Sequence, residues 1–213
     1  MPINRPLAQQ LKAYLVLDPQ LCGEYGMLNT AIDAARAGVS MVQLRAPQWK
    51  KRALAECARE LLRALSPMGV PLIINDHVDV AVAVRAQGVH VGQSDLSPED
   101  TRALLLPGQI LGLSVSSLAE CPQDNRLVDY IGVGPVWATQ TKPDAAPALG
   151  LDGLKAVVLR SPCPSVAIGS IQAKNLTQVK QTGVNGFAVV SAICGQPSPY
   201  EAARALVQQW DAA

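Results

Sequence analysis

The segment that decides the fold is "PLIINDHVDVAVAVRAQGVHVGQSD", which runs from Pro71 to Asp95. Two short apolar runs, LII and GVHV, flank a stretch rich in valine and alanine that has the spacing of a helix. Polar side chains follow each run, Asn75 and Asp76 after the first and Gln93 and Asp95 after the second. We interpret the segment as a strand–helix–strand unit whose polar residues follow the carboxyl ends of two parallel strands.

The same alternation of apolar run and helical stretch recurs along the chain. Most of the runs are apolar at every position, which is typical of parallel strands covered by helices on both faces. Eight strand–helix units in 213 residues predict a closed (β/α)₈ barrel that occupies residues 1–213 as a single domain. An open doubly wound sheet is the alternative, but no G-x-G-x-x-G loop follows the first run. The predicted strands are Tyr14–Asp18, Met41–Arg45, Leu72–Asp76, Gly88–Gly92, Ile110–Val115, Tyr130–Gly134, Ser165–Ser170 and Gly186–Ser191.

Helices are predicted between most of these strands. Ser97 and Pro98, followed by two acidic residues, are typical of a helix N-terminus. The other predicted helices cover residues 28–37, 51–65, 78–86, 173–181 and 199–209.

Composition excludes several classes of protein. The chain is 49% hydrophobic and 16% charged, as a globular protein is. Its formal net charge of +1 gives no reason to expect a nucleic acid or a membrane surface as partner. No apolar run reaches the ~20 residues of a membrane span. The first ten residues lack an apolar signal core and the five cysteines include no C-x-x-C pair, so we expect reduced thiols in a cytoplasmic protein. The sequence does not decide whether the chain forms a homo-oligomer.

Polar residues follow most of the predicted strands, where a (β/α)₈ barrel carries its active site. Any one of them is commonly a turn former or a helix cap. A series of polar strand ends on the same side of a barrel nevertheless favours a site. The residues are Gln43, Arg45, Asn75, Asp76, Gln93, Asp95, Ser114, Ser170 and Ser191.

Asp76 and Asp95 give the sharpest local hypothesis. They follow adjacent strands, so their carboxylates are expected to converge at the barrel mouth. Two hard oxygen ligands without histidine or cysteine partners suit Mg²⁺, which completes its shell with water and substrate phosphates. The equally weighted alternative is that each aspartate caps the helix that follows it.

A long loop, "VWATQTKPDAAPALG", extends from Val136 to Gly150 after the sixth strand. Loops of this length in compact domains are often functional lids. Its Thr139, Thr141 and Lys142 predict a phosphate clamp, and a mobile surface loop is the alternative.

The last two predicted strands lie in "SVAIGSI" and "GFAVVSAI", which resemble the phosphate cradle that many barrels form after their last two strands. Small residues there let backbone N–H groups approach an anion. Of the two histidines, His90 lies inside an apolar strand and is interpreted as a hydrogen-bonded core residue rather than a base. His77 is interpreted as the start of a helix.

Seven stretches between Met41 and Ile193 occur in a characteristic order: VQLR, IINDHVDVA, GVHVGQSDL, LGLSV, DYIGVGPVWATQTK, VAIGSI and GFAVVSAI. Together they resemble the thiamin phosphate synthase family. The resemblance implies a (β/α)₈ barrel and a transferase that joins a pyrimidine methyl diphosphate to a thiazole phosphate. Thiamin phosphate and pyrophosphate are the implied products, and Mg²⁺ is the implied cofactor. The implied mechanism is dissociative: pyrophosphate leaves, and the thiazole nitrogen captures the pyrimidine-methyl cation.

The resemblance also assigns roles to individual residues. The implied Mg²⁺ ligands are Asp76 and Asp95. The implied pyrimidine diphosphate contacts are Gln43, Arg45, Asn75, Ser114 and Lys142, of which Arg45, Ser114 and Lys142 are the implied catalytic residues. The implied thiazole phosphate contacts are Thr139, Gln140, Thr141, Ser170, Val190 and Ser191.

Two positions depart from the family pattern. Pro47 stands where the family's Q-x-R-x-K stretch has a lysine, and Ser170 replaces the second glycine of A-I-G-G-I. These departures leave room for a non-catalytic relative that binds a thiamin precursor. A thiazole tautomerase is a further alternative, but that branch has a histidine near the end of the sixth strand, where this chain reads Gly134-Pro135-Val136.

Overall fold

The structure, a computed structural model, describes residues 5–139, 141 and 146–213. Within them, eight parallel strands form a closed barrel in which each strand pairs with the next and the last pairs with the first. The predicted barrel is confirmed and the open sheet is excluded. The strands are β1 (Ala13–Leu17), β2 (Met41–Leu44), β3 (Leu72–Asn75), β4 (Gly88–Val91), β5 (Ile110–Val115), β6 (Tyr130–Val133), β7 (Ser165–Ile168) and β8 (Gly186–Val189).

Helices surround the barrel, and nine α-helices fall within the described residues. They are α1 (Leu7–Gln10), α2 (Pro19–Cys22), α3 (Met27–Arg36), α4 (Lys51–Leu65), α5 (Val78–Val84), α6 (Pro98–Leu104), α7 (Gly150–Arg160), α8 (Ala173–Lys180) and α9 (Pro199–Ala212). Short 3₁₀ turns cover Gly23–Tyr25, Ser66–Met68 and Leu118–Glu120.

Each strand contributes to two apolar layers because successive side chains point to opposite faces. Tyr14, Met41 and Tyr130 belong to a cluster inside the barrel. Leu15 and Val42, one position along from the first two, pack in the layer between strands and helices. Burial on both faces explains why the strands are apolar at every position.

The helices cover the barrel with amphipathic faces. In α4 the buried residues are Leu54, Ala58, Leu61 and Leu65, spaced so that they line one side of the helix. Ser97 caps α6 by accepting a hydrogen bond from the N–H of Asp100 at 3.1 Å, as its sequence predicts.

All five cysteines are free thiols, in agreement with the expectation of reduced cysteines. A search of the described residues finds no helix with the length and apolarity to cross a membrane.

Candidate active site

Seven of the eight strands end one or two residues earlier than the sequence predicted, and β5 ends as predicted at Val115, so several of the polar residues lie just beyond the strands. Arg45 follows β2, Asp76 follows β3, and Ser170 lies two residues beyond β7. Because all strands are parallel, these positions lie at the same end of the barrel. That end is the mouth where a (β/α)₈ enzyme carries its active site.

The predicted site residue Asn75 is the last residue of β3, and two more lie within strands, Gln43 on β2 and Ser114 on β5. Gln43 is only 5% exposed, and its Nε2 donates to the Tyr14 hydroxyl at 2.9 Å. The Ser114 Oγ lies 3.0 Å from Nε2 of His90. Both residues are therefore bonded to side chains of the barrel interior.

His90 is buried, and both of its ring nitrogens have partners. Its Nδ1 lies 3.0 Å from the Tyr130 hydroxyl, and its Nε2 bonds Ser114. The interpretation of His90 as a hydrogen-bonded core histidine is confirmed. The prediction that His77 begins a helix is also confirmed, since it is the N-cap of α5.

Arg45 forms an ion pair with a residue that is not among the predicted site residues. Its Nη1 lies 3.9 Å from Oδ2 of Asp18, and both side chains are largely buried. The other Asp18 oxygen accepts from the N–H groups of Gln20 and Leu21 at 2.9 and 3.1 Å, which caps α2. An aspartate before a proline at the end of β1 was the available signal. This carboxylate places a negative charge within ion-pair distance of the guanidinium at the mouth.

Asp76 occupies a tight turn at the end of β3. Its φ is 60°, in the left-handed region that aspartate tolerates better than most residues. Its N–H donates to the His90 carbonyl at 2.8 Å, and the N–H of His77 donates to the carbonyl of Asn75 at 2.7 Å. This turn fixes Asn75 and Asp76 beside β4.

Asp95 is bonded to the backbone just beyond β4. Its Oδ2 accepts the N–H of Gly92 at 2.7 Å, in the loop that follows β4. Ser97 is the N-cap of α6 and its side chain accepts the N–H of Asp100, so Asp95 does not cap that helix. The N-cap of α5 is His77, and the choice between metal ligand and helix cap stays a prediction for Asp76.

The donor set at this edge suits a hard cation. Asp76 is tied to His90 of β4 through its backbone N–H, and the Asp95 carboxylate is tied to Gly92 in the loop directly after that strand. Across the described part of the chain there is no group of three or more histidine, cysteine or acidic side chains that would hold a metal. Two carboxylate ligands, with water and phosphate oxygens completing the shell, is the arrangement that Mg²⁺ commonly adopts.

The loops after β6 and β7 are joined by backbone and side-chain bonds. The N–H of Trp137 donates to the Gly169 carbonyl at 3.3 Å, and the hydroxyl of Ser170 donates to the Ala138 carbonyl at 2.6 Å. Ser170 has a φ of 51°, a conformation that glycine would adopt without strain. The substitution at this position therefore adds a bond between the two loops.

The structure describes only part of the predicted phosphate clamp. Thr139 Oγ1 accepts from the N–H of Thr141 at 3.2 Å, so these two residues form a local turn. Gln140 and Lys142 lie outside the described residues, and their assigned roles stay predictions.

One helical turn follows β8. The N–H groups of Ile193 and Cys194 donate to the Val190 carbonyl at 3.1 and 2.8 Å. The N–H groups that begin such a turn have no partner within it, which suits an anion. Val190 and Ser191 are the residues at that position.

Pro47 lies in a surface turn. The N–H of Trp49 donates to the Ala46 carbonyl at 3.0 Å, which places Pro47 at the second position of a β-turn, where proline is favoured. Lys51 forms an ion pair with Asp79 at 2.8 Å and is thereby held on the helical layer.

The comparisons with known proteins agree with this geometry. A family model described as thiamine monophosphate synthase matches residues 13–193. A thiamine-phosphate synthase of Azorhizobium caulinodans is 51% identical over 197 residues, covering 92% of this chain and 93% of the relative. One from Xanthobacter autotrophicus is 50% identical over 202 residues, covering 94% and 96%. The solved structure of a thiamine phosphate pyrophosphorylase from Pyrococcus furiosus superposes with a TM-score of 0.89 at 32% identity, covering 97% of this chain and 98% of that one. The closed barrel, the polar residues at its mouth and these matches together show that the chain belongs to the thiamine monophosphate synthase family.

Proposed function

We propose that this chain joins a pyrimidine methyl diphosphate to a thiazole phosphate at the barrel mouth, giving thiamin phosphate and pyrophosphate. The observation that carries the proposal is the attachment of Asp76 and Asp95 to one segment around β4, at the same end of the barrel as Arg45. Membership of the family supplies the substrates. Two carboxylates and a guanidinium at the same end of the barrel suit a diphosphate bound through a divalent cation.

Asp76 and Asp95 would hold Mg²⁺, which would neutralise the charge that develops on the departing diphosphate. Arg45, paired with Asp18, donates to the same oxygens. The bond between the pyrimidine methylene carbon and the diphosphate oxygen breaks, and its electron pair leaves with the oxygen. The thiazole nitrogen then donates its lone pair to that carbon.

This chemistry requires no general base, because the attacking nitrogen carries no proton. The lack of a general base agrees with the state of His90, because both of its ring nitrogens are hydrogen-bonded in the barrel interior. A tautomerase, in contrast, moves a proton. The residues from Gly134 to Val136, where its histidine would lie, include none.

A direct assay tests the proposal. Purified protein is mixed with pyrimidine methyl diphosphate, thiazole phosphate and Mg²⁺, and thiamin phosphate is measured with and without EDTA. Product that forms only with the metal is expected. A folded protein that binds either substrate and gives no product would instead identify a non-catalytic relative.

Replacing Pro47 by lysine is expected to raise the rate of thiamin phosphate formation by about 10-fold, because a charge-assisted hydrogen bond of ~1.5–3 kcal/mol would be restored to the diphosphate. The turn accepts lysine at its second position, at a cost of ~0.4–1 kcal/mol in stability from the lost proline. Steady-state kinetics in both substrates gives the rate.

Gln48→Lys is the matched control, since it adds the same charge one residue further along the exposed turn. An equal gain in both variants would show a general attraction for anions rather than a restored contact. No gain at Pro47→Lys would mean that the site has already compensated for the missing cation.

Replacing Ser170 by glycine is expected to leave the melting temperature within a few degrees of the wild type. Relief of the left-handed strain, ~1 kcal/mol, offsets loss of the hydroxyl bond to Ala138, ~0.5–1.5 kcal/mol. Ser170→Ala loses the bond but keeps the strain, so it should melt ~2–4 °C lower for each kcal/mol lost. Scanning calorimetry compares the two variants, and a glycine variant that melts lower than the alanine variant would contradict this account.

A further inference from the structure

A continuous row of hydrogen bonds crosses the barrel interior and ends at two of the proposed substrate contacts. The Gln43 Nε2 donates to the Tyr14 hydroxyl at 2.9 Å, and that hydroxyl lies 2.8 Å from the Tyr130 hydroxyl. Tyr130 lies 3.0 Å from Nδ1 of His90, and Nε2 of His90 lies 3.0 Å from Oγ of Ser114. We call these five side chains, on β2, β1, β6, β4 and β5, the interior relay.

The barrel makes room for the interior relay at two glycines. A Cβ atom at Gly112 would lie 2.2 Å from Cζ of Tyr130 and 2.4 Å from Nδ1 of His90. One at Gly132 would lie 3.0 Å from Cε1 of His90. Barrel interiors are usually filled by branched apolar side chains, so these glycines on β5 and β6 are what allows the rings to enter.

Burial gives four of the five side chains of the relay, all except Ser114, a strong requirement for a partner. Tyr130 is 0%, Tyr14 2%, Gln43 5% and His90 8% exposed. An unpaired hydroxyl or imidazole at this depth is costly, so each hydrogen has to be used. Desolvation raises the pKa of Tyr14 and Tyr130 well above the ordinary phenol value, so each keeps its single proton.

The direction of the bonds follows from counting protons. The amide of Gln43 donates to Tyr14, so the one proton of Tyr14 goes on to Tyr130. The one proton of Tyr130 then goes to Nδ1 of His90, which must be the acceptor nitrogen.

The same count fixes the far end of the relay. A neutral imidazole that accepts at Nδ1 carries its proton on Nε2. His90 therefore donates to the Ser114 Oγ. The hydroxyl proton of Ser114 is left to point at another acceptor.

We propose that the interior relay sets the polarity of two ligand-binding groups: it makes Ser114 a hydrogen-bond donor and leaves Gln43 with its carbonyl oxygen as an acceptor. Tyr14, Tyr130 and His90 are positioning residues that act through these two ends. The inference rests on the proposed function, because the ligand is the substrate of that site. An amine hydrogen on a pyrimidine suits the Gln43 oxygen, and a ring nitrogen or a phosphate oxygen suits the Ser114 hydroxyl.

The imidazole proton of His90 can be observed without any assay of activity. The chain has only two histidines, His77 and His90, so ¹⁵N-histidine labelling gives few signals, and His77→Gln assigns them. Two-bond ¹H–¹⁵N spectra near pH 7.5 are expected to show His90 as the neutral tautomer protonated at Nε2. The tautomer protonated at Nδ1, or an imidazolium, would overturn the inference.

Tyr130→Phe tests the effect on the ligand, since it removes one hydroxyl from the middle of the relay and touches no substrate contact. We expect a loss of about 10-fold in kcat/KM for the pyrimidine diphosphate, an unchanged KM for the thiazole phosphate, and a shift of the His90 signals away from the pure tautomer. Tyr200→Phe, which makes the same change in α9, is the control and should leave all three unchanged.

A Tyr130→Phe protein with a lower melting temperature but wild-type kcat/KM would show that the relay only supports the fold, and would overturn the inference. If the wild-type protein makes no thiamin phosphate, the proposed function fails, and the tautomer of His90 still decides whether the relay has the stated direction.

Discussion

Replacing Asp76 or Asp95 by asparagine is expected to lower the Mg²⁺-dependent rate of thiamin phosphate formation by about 100- to 1000-fold, the range found when one electrostatic partner of a developing charge is removed. Each variant loses one anionic oxygen ligand while its shape is kept. The rate is measured as a function of Mg²⁺ concentration, and part of it should return at high metal because the remaining carboxylate still binds.

Asparagine is a more specific test than alanine, because it preserves the local backbone and its hydrogen bonds. Asp76 has a φ of 60°, which asparagine tolerates and alanine does not. At position 95 the amide oxygen can still accept the N–H of Gly92, the bond made at 2.7 Å by the native carboxylate. Any loss then reports the charge and not the fold.

Asp79→Asn is the matched control, since it removes the same charge three residues from Asp76 and breaks only an exposed ion pair with Lys51. A second readout is binding of Mn²⁺, followed by electron paramagnetic resonance in the presence of pyrophosphate. It should weaken at Asp76 and Asp95 but not at Asp79. Wild-type rates and wild-type Mn²⁺ binding in both site variants would refute the metal assignment.

Gly112→Ala is expected to destabilise the barrel strongly for a change of one methyl group, with a loss of ~3 kcal/mol in the free energy of unfolding. The new Cβ would lie 2.2 Å from Tyr130 and 2.4 Å from His90, both of them buried and hydrogen-bonded on their far sides. Overpacking of this kind costs ~1–3 kcal/mol or more when the neighbours cannot move. For a chain of this length, the melting temperature should fall by ~6–12 °C.

Two further glycines calibrate that measurement. Gly132→Ala meets His90 at 3.0 Å and should cost less, about 1 kcal/mol. Gly153→Ala, in α7, meets the side chain of Leu149 and gains helix propensity, so it should melt at or above the wild-type temperature. If Gly112→Ala melts like Gly153→Ala, the rings inside the barrel are loosely held.

The sequence predicts the barrel well because each strand is buried on two faces and therefore appears as an unbroken apolar run. It predicts strand ends less well, since the polar residues Arg45, Asp76 and Ser170 follow the apolar runs closely and lie one or two residues beyond the strands. The sequence does not predict helix α7, because that helix begins at Gly150, the last residue of the predicted loop, and contains a second glycine. The four-residue helices α1 and α2 are too short to show a period.

The residues of the candidate site also fall into two groups, those that the sequence reveals and those that it does not. Residues at strand ends are visible in the sequence because polarity changes abruptly there. Partners that come from another strand are not visible in the sequence, since they depend on which strands pair and in what register. Asp18 beside Arg45 and Tyr14 beside Gln43 are examples, separated along the chain by about 27 to 29 positions.

The fit of Tyr130 and His90 against Gly112 and Gly132 has a consequence for how such a chain can change over time. Volume on one strand is matched by its lack on the next, so neither side can change alone without a clash or a void. Substitutions at these positions should therefore be tolerated in pairs rather than singly. A relative in which a smaller residue replaces Tyr130 would need a larger residue at Gly112 to fill the space. Few single substitutions would then be neutral between the glycine–tyrosine pair and its replacement.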